Sequence, residues 1–268
     1  MTDTDPLPES RIERHIDQML DDADEARFPL VRDVLYESPD RWYGQLVVAV
    51  YDSLAERQNH EAVLPAAAAI EFLRGYVRLR NQLLVALTEK HAHSFTRDTT
   101  PALLAGDYLY TAAFSLLGSV PDSPSGDRFE ILTTTLETIT DRFARTYIPA
   151  ESASCDQVGF FDDTVGSLGR GAAVLGSTLA GFDESARRHY ERLGHGLSTA
   201  RQIGHVLDGE SNCAMVVPPT FDESKFRMYE KQRRNDAEQA LNTLSETGDV
   251  TRLRAFAETT VPNPAHRS

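Results

Sequence analysis

Between Pro65 and Leu117 the chain reads PAAAAIEFLRGYVRLRNQLLVALTEKHAHSFTRDTTPALLAGDYLYTAAFSLL, two long apolar segments separated by a short polar one. The helical period runs without a break from Glu61 to Lys90. A helix of about 30 residues spans ~45 Å at 1.5 Å per residue. Helices this apolar need cover on most faces, so the rest of the chain must be arranged to enclose them. Asp98, Thr99 and Thr100 offer N-cap side chains ahead of Pro101, which suits the first position of the second helix.

The remaining sequence repeats the helical period. Residues 1–7 are expected to be disordered. Pro8-Glu9-Ser10 opens an amphipathic helix with Ile12, Ile16, Met19 and Leu20 on one stripe. A short helix carrying Phe28, Leu30, Val31, Val34 and Leu35 stops at Ser38-Pro39-Asp40. Arg41 to Ala55 is apolar on most faces. Gln45 to Tyr51 has the β-branched content of a strand, but its flanks extend a helix. The run PDSPSGD at 121–127 reads as a loop. Arg128 to Tyr147 keeps Phe129, Leu132, Leu136, Ile139 and Phe143 in register, and Pro149 ends it. From Phe160 to Leu179, six small residues (Gly166, Gly169, Gly171, Ala172, Ala173, Gly176) permit close helix approach. A helix beginning at Phe182-Asp183-Glu184 reaches Leu207, with Gly209 placed as its C-terminal stop. Asp222–Leu244 is charged and amphipathic, Asp249–Thr259 forms a last short helix, and residues 261–268 should be loose. About ten helices, no internal repeat and no strand predict a single all-α domain over residues 1–268.

The net charge is −14, from 41 acidic and 27 basic residues. Such a surface repels phosphate backbones and anionic membranes, so neither nucleic acid nor a lipid surface is an expected partner. Lysine occurs only at Lys90, Lys225 and Lys231. Abundant acid with scarce lysine is the pattern of a halophile's solvated surface. Cys155 and Cys213 give neither a disulfide framework nor a zinc pattern, which favours a reducing, cytoplasmic setting. The N-terminus is too acidic for a signal peptide, and no apolar run approaches the ~20 residues needed to cross a bilayer.

Two stretches resemble a known family. Ala67-Ala68-Ala69-Ile70-Glu71-Phe72-Leu73 and Leu103-Leu104-Ala105-Gly106-Asp107-Tyr108-Leu109 are similar to the flanks of the first aspartate-rich motif in trans-type polyprenyl diphosphate synthases. The resemblance extends over about residues 25–210. It implies an isoprenoid-synthase-type bundle of about ten helices around a central cavity, with dimerisation through long helices. In that family, Mg²⁺ ions held by facing Asp-Asp-x-x-Asp motifs neutralise the leaving diphosphate. Here the first motif position reads Asn81-Gln82-Leu83-Leu84-Val85, and no double arginine follows it. The second follows Arg201-Gln202-Ile203 and reads Gly204-His205-Val206-Leu207-Asp208-Gly209. The family's Lys-Thr pair corresponds to Asp163-Thr164. Of its basic N-terminal segment only Arg41 aligns, and His93 or Arg97 stands in place of its loop histidine. The implied cavity-lining positions are therefore Asn81, Gln82, Val85, Gln202, His205 and Asp208, with Arg41, His93 and Arg97 as residual diphosphate contacts. No catalytic residue and no metal ligand is assigned.

Other polar groups are weaker candidates. Asp21-Asp22-Ala23-Asp24-Glu25 reads as a solvated helix end. Asp162-Asp163 reads as a cap of the next helix, with cavity lining as the alternative. His91 and His93 at i, i+2 do not share a helical face. His189, His195 and His205 lack partners at ligand spacing, and no nucleophile signature is present. The expectation is a catalytically silent relative: a non-catalytic or regulatory subunit, homodimeric or paired with an active prenyl synthase, or a binder of isoprenoid ligands, with no cofactor. The alternatives are an active prenyltransferase with an altered site, which would require Mg²⁺, and a structural helical interaction module.

Overall fold

A computed structural model of the 268-residue chain describes residues 9–21, 29–37, 40–55, 59–88, 99–120, 125–148, 156–181, 184–209, 214–218 and 222–260. The helices are α1 (Glu9–Asp21), α2 (Pro29–Tyr36), α3 (Trp42–Leu54), α4 (His60–Thr88), α5 (Thr99–Gly118) and α6 (Ser125–Tyr147). After them come α7 (Gln157–Phe161), a π-helical turn (Asp162–Gly166), α8 (Ser167–Leu179), α9 (Glu184–Leu207), α10 (Glu223–Ser245) and α11 (Thr251–Thr260). No strand occurs among the described residues, so the all-α prediction holds. Gln45–Tyr51 lies inside α3.

The bundle is built around α4, on which every residue from Val63 to Gly75 is buried. α3, α5, α1, α2, α8 and α6 all touch it. The alanine run has a purpose here: Ala66, Ala67, Ala68 and Ala69 have no exposed surface, because helices surround α4 on several sides and α3 comes close at Ala67. At Gly44 of α3 an added Cβ would stand 2.9 Å from the Ala67 carbonyl oxygen. At Gly176 of α8 it would stand 2.4 Å from that of Val47. Gly169 and Gly194 face each other in the same way, 2.3 Å in both directions, joining α8 to α9. The predicted role of the small residues is thus met.

One buried ion pair ties the centre together. Glu71 of α4 accepts from Arg74 Nε at 2.7 Å and from the Gly44 backbone N–H at 2.9 Å. Arg74 also donates to the Leu35 carbonyl at 3.0 Å. The residue before α3, Arg41, makes no capping bond of its own. Glu71 therefore supplies from another helix an acceptor that the first turn of α3 lacks locally.

Several boundaries differ from the sequence reading. α5 begins at Thr99, two residues before Pro101; first-turn amides have no intrahelical partner, so proline is tolerated there. α6 begins at Ser125 within the supposed loop, with Asp127 in its first turn, where a carboxylate suits the helix dipole. Asp162 and Asp163 are not the cap of a new helix. The cap is Asp156, whose side chain accepts from the Gly159 N–H at 3.0 Å, and the two aspartates fall in the π-helical turn. Gly209 has φ of 74°, as a helix stop should. Asp21 ends α1 exposed, while Asp22 to Glu25, and His91, His93 and Arg97, lie outside the described residues.

Candidate functional site

The family's motif positions converge between α4 and α9, at the end of the bundle where α3 begins. α4 contributes Arg74, Arg78 and Asn81; α3 contributes Trp42 and Tyr43; α9 contributes Ser198, Arg201, Gln202 and His205. An extended segment, Ala214–Pro218, crosses between the two long helices with Ala214, Met215, Val216 and Pro218 buried.

Two amides hold this segment, Asn81 at the first motif position and Gln202 just ahead of the second. Asn81 Oδ1 accepts from the Val217 N–H at 3.2 Å, while its Nδ2 donates to the Tyr147 hydroxyl at 2.8 Å. Gln202 Oε1 accepts from the Met215 N–H at 2.9 Å. Arg78 donates to the Ala214 carbonyl at 3.3 Å and pairs with Glu37 at 2.7 Å. The strap is therefore fastened to both walls. What remains between them is a slot of about 20 Å³, room for a single water.

The slot is polar and electrically balanced. Arg201 pairs with Asp40 and lies 5.6 Å from the centre of the Trp42 ring. Arg78 is matched by Glu37 and Arg74 by Glu71. Ser198 gives its one hydrogen to the Val165 carbonyl at 2.7 Å, so the Tyr43 hydroxyl, 2.9 Å away, must be the donor to Ser198. Burial pushes Tyr43 up to about 12, which keeps its proton in place and rules it out as a base. The indole N–H of Trp42 and the Nε2 of Gln202 are buried without a hydrogen-bond partner among the described residues.

These residues do not fit Mg²⁺ with a diphosphate. The cation needs several hard oxygens, preferably carboxylates, around one point. Asn81 and Gln202 have already spent their carbonyls on the strap. Each of Asp40, Glu37 and Glu71 is held by an arginine, and Asp208 stands exposed at the end of α9. No group of three His, Cys, Asp or Glu side chains among the described residues could hold a metal.

The other predicted positions disperse. Gln82 and Val85 are half-buried on α4. Arg41 is fully buried and does not line the slot: its guanidinium donates to the Leu35 carbonyl and to Glu13, 3.3 Å away, and lies 4.8 Å from the Tyr36 ring. Asp163 pairs with Arg142. Sequence reasoning missed Arg74, Arg78, Tyr43 and the strap. Glu71, Arg74 and Arg78 were visible as charges at helical spacing on an otherwise apolar helix, and Ala214-Met215-Val216-Val217 as an apolar run just before Pro218-Pro219.

No protein-family model matches the sequence, and no curated protein matches it either. Solved structures do share its fold. A geranyltranstransferase from Methanosarcina mazei superposes with a TM-score of 0.73 at 16% identity, over 96% of this chain and 98% of that one. A geranyltranstransferase from Thermotoga maritima gives 0.70 at 18% identity, over 94% and 97%. The small subunit of the geranyl diphosphate synthase of Antirrhinum majus gives 0.64 at 16% identity, over 96% and 100%. With all-helical topology, a central α4 and near-complete overlap with these chains, the protein has the isoprenoid-synthase fold of the trans-prenyltransferases.

Proposed function

We propose that this chain is a catalytically silent prenyl-synthase-like protein that works as a non-catalytic or regulatory subunit in isoprenoid biosynthesis. The observation carrying this reading is that the strap is bound by Asn81, where the resemblance places a metal-binding carboxylate, and by Gln202, just ahead of the second motif position. A slot of about 20 Å³ cannot admit a prenyl chain while the strap is in place, which favours a partner role over a ligand-binding one. A filled slot also suits a purely structural interaction module, and the two differ in whom they bind. The similarity to a chain named as a small subunit supports the subunit reading. So do Leu103, Leu104 and Tyr110 of α5, which stand exposed (40%, 53% and 43%), as does Leu87 near the end of α4. Such apolar exposure suits a second copy or an active prenyl synthase.

The test is a labelled condensation assay with isopentenyl diphosphate and dimethylallyl, geranyl or farnesyl diphosphate in the presence of Mg²⁺. No prenyl product should form with any acceptor, and any Mg²⁺-dependent product establishes an active enzyme instead. Affinity capture of the full chain from its native cell should recover an active prenyl synthase. Recovery of none, together with a homodimer in light scattering, would leave the homodimeric form.

A further inference from the structure

A second pocket lies nearer the N-terminal end of α9, displaced along the helix from the slot. Its volume is about 180 Å³, and it is lined by Arg170 of α8, Glu191, Arg192 and His195 of α9, and Arg233 and Asp236 of α10. The helices are drawn together there by absent side chains. Gly169 and Gly194 leave α8 and α9 in backbone contact, and a Cβ on Gly196 would stand 2.6 Å from the Arg233 carbonyl oxygen of α10. Arg170, His195 and Arg233 each belong to or directly follow one of these contacts, so the same packing that joins three helices points three basic groups at one space.

The charges in this space do not cancel. Arg233 is committed: it donates to both oxygens of Asp162, at 2.9 and 2.6 Å, and to Asp236 at 2.8 Å. Asp162 also accepts from Tyr229, and His195 Nε2 lies 3.5 Å from it. Glu191 lies 3.3 Å from Arg187. Glu191 is matched by Arg187, while Arg233 is shared between Asp162 and Asp236, so the four arginines outnumber the three acids by one, and Arg170 and Arg192 keep no hydrogen-bond or ion-pair partner among the described residues. Two like charges converging on one pocket repel each other unless something between them carries the opposite sign. In a chain with 41 acidic residues, a carboxylate could have been placed there.

We propose that the pocket between α8, α9 and α10 binds a compact oxyanion, a phosphate group held between the guanidinium forks of Arg170 and Arg192. A carboxylate has two oxygens and fills one fork; a phosphate has enough to fill two from opposite sides. Arg233, Tyr229 and Asp162 are positioning residues that fix the floor of the site.

The test uses the full chain. Thermal unfolding and calorimetric titration with inorganic phosphate are compared with chloride at matched ionic strength and with acetate. Phosphate should raise the melting temperature saturably, as a ligand of the native state does, and acetate should not. R170Q and R192Q should each weaken phosphate binding about tenfold, and the double variant should abolish the rise. In phosphate-free buffer that double variant should melt no lower than the parent, because it loses a repulsion and no protein contact. R188Q, an exposed arginine on the same helix, should bind like the parent. The proposal is overturned by absence of saturable binding, by an equal effect of acetate, by an unchanged phosphate response in the double variant, or by its destabilisation without phosphate.

Discussion

An amide and a carboxylate have nearly the same shape, and what separates them at Asn81 is the sign of one hydrogen bond. Asn81 donates to Tyr147 and accepts from Val217, a pair of bonds that one neutral group can make at once. Gln202 accepts from Met215 two residues earlier on the same strap. Replacing Gln202 by leucine leaves the buried Met215 N–H unpaired, and replacing Asn81 leaves the part-buried Val217 N–H and the Tyr147 hydroxyl without their partner, at about 1–3 kcal/mol. Asn81→Leu and Gln202→Leu should each lower the free energy of urea unfolding by about 2 kcal/mol. Combined, they should cost less than the sum by about 1 kcal/mol, because a strap released at one end no longer holds the other. Strict additivity in the double-mutant cycle would mean that the two amides act on independent segments.

Helix contacts explain which parts of the fold could be read from the sequence. The periods of α3, α4, α6 and α10 are set by burial on one or more faces, and local sequence carries that information. The start of α10 was legible at Asp222, whose side chain caps the helix by accepting from the Lys225 N–H at 3.2 Å. The π-helical turn was not legible. It places Asp162 against Arg233 of α10 and Asp163 against Arg142 of α6, and partners 71 and 21 residues away leave no local mark. The loss of carboxylates at Asn81 and from Gly204 to Leu207 could be read from the chain, while the capture of the strap by Asn81 and Gln202 could not, since it depends on where residues 214–218 return. The small residues of α8 were noted, and the structure gives them partners. Gly169→Ala would press a methyl to 2.3 Å from the Gly194 carbonyl, a backbone atom with no side-chain freedom to yield. It should destabilise by about 2–3 kcal/mol through overpacking. Gly126→Ala, in the first turn of α6 with nothing within 4 Å, should be neutral or stabilise by up to about 1 kcal/mol. Equal midpoints for the two variants in chemical unfolding would mean that α8 and α9 are not held at backbone contact.

At the scale of the whole molecule, an imbalance of 41 acidic to 27 basic residues opposes compaction. The local pairs do not remove it. Many lie at the surface, such as Arg145 with Asp141 and Arg227 with Glu223, and exposed pairs contribute little, about 0–1 kcal/mol each. The buried pairs, Glu71 with Arg74 above all, are shielded from solvent ions and respond weakly to salt. Two terms therefore change in opposite directions as salt is added. Surface attraction is lost over the same range in which general repulsion is screened, as the Debye length falls from about 10 Å at 0.1 M to about 3 Å at 1 M. With a net charge of −14, repulsion is the larger of the two. The melting temperature should accordingly rise by several degrees between about 0.1 and 1 M KCl. The rise should be steepest at the low end, where screening changes most, and a chain with six exposed glutamates changed to glutamine should show a smaller one. A melting temperature that falls with KCl would mean that attraction between exposed pairs outweighs the net charge, and the acidic surface would then be a network that stabilises the fold.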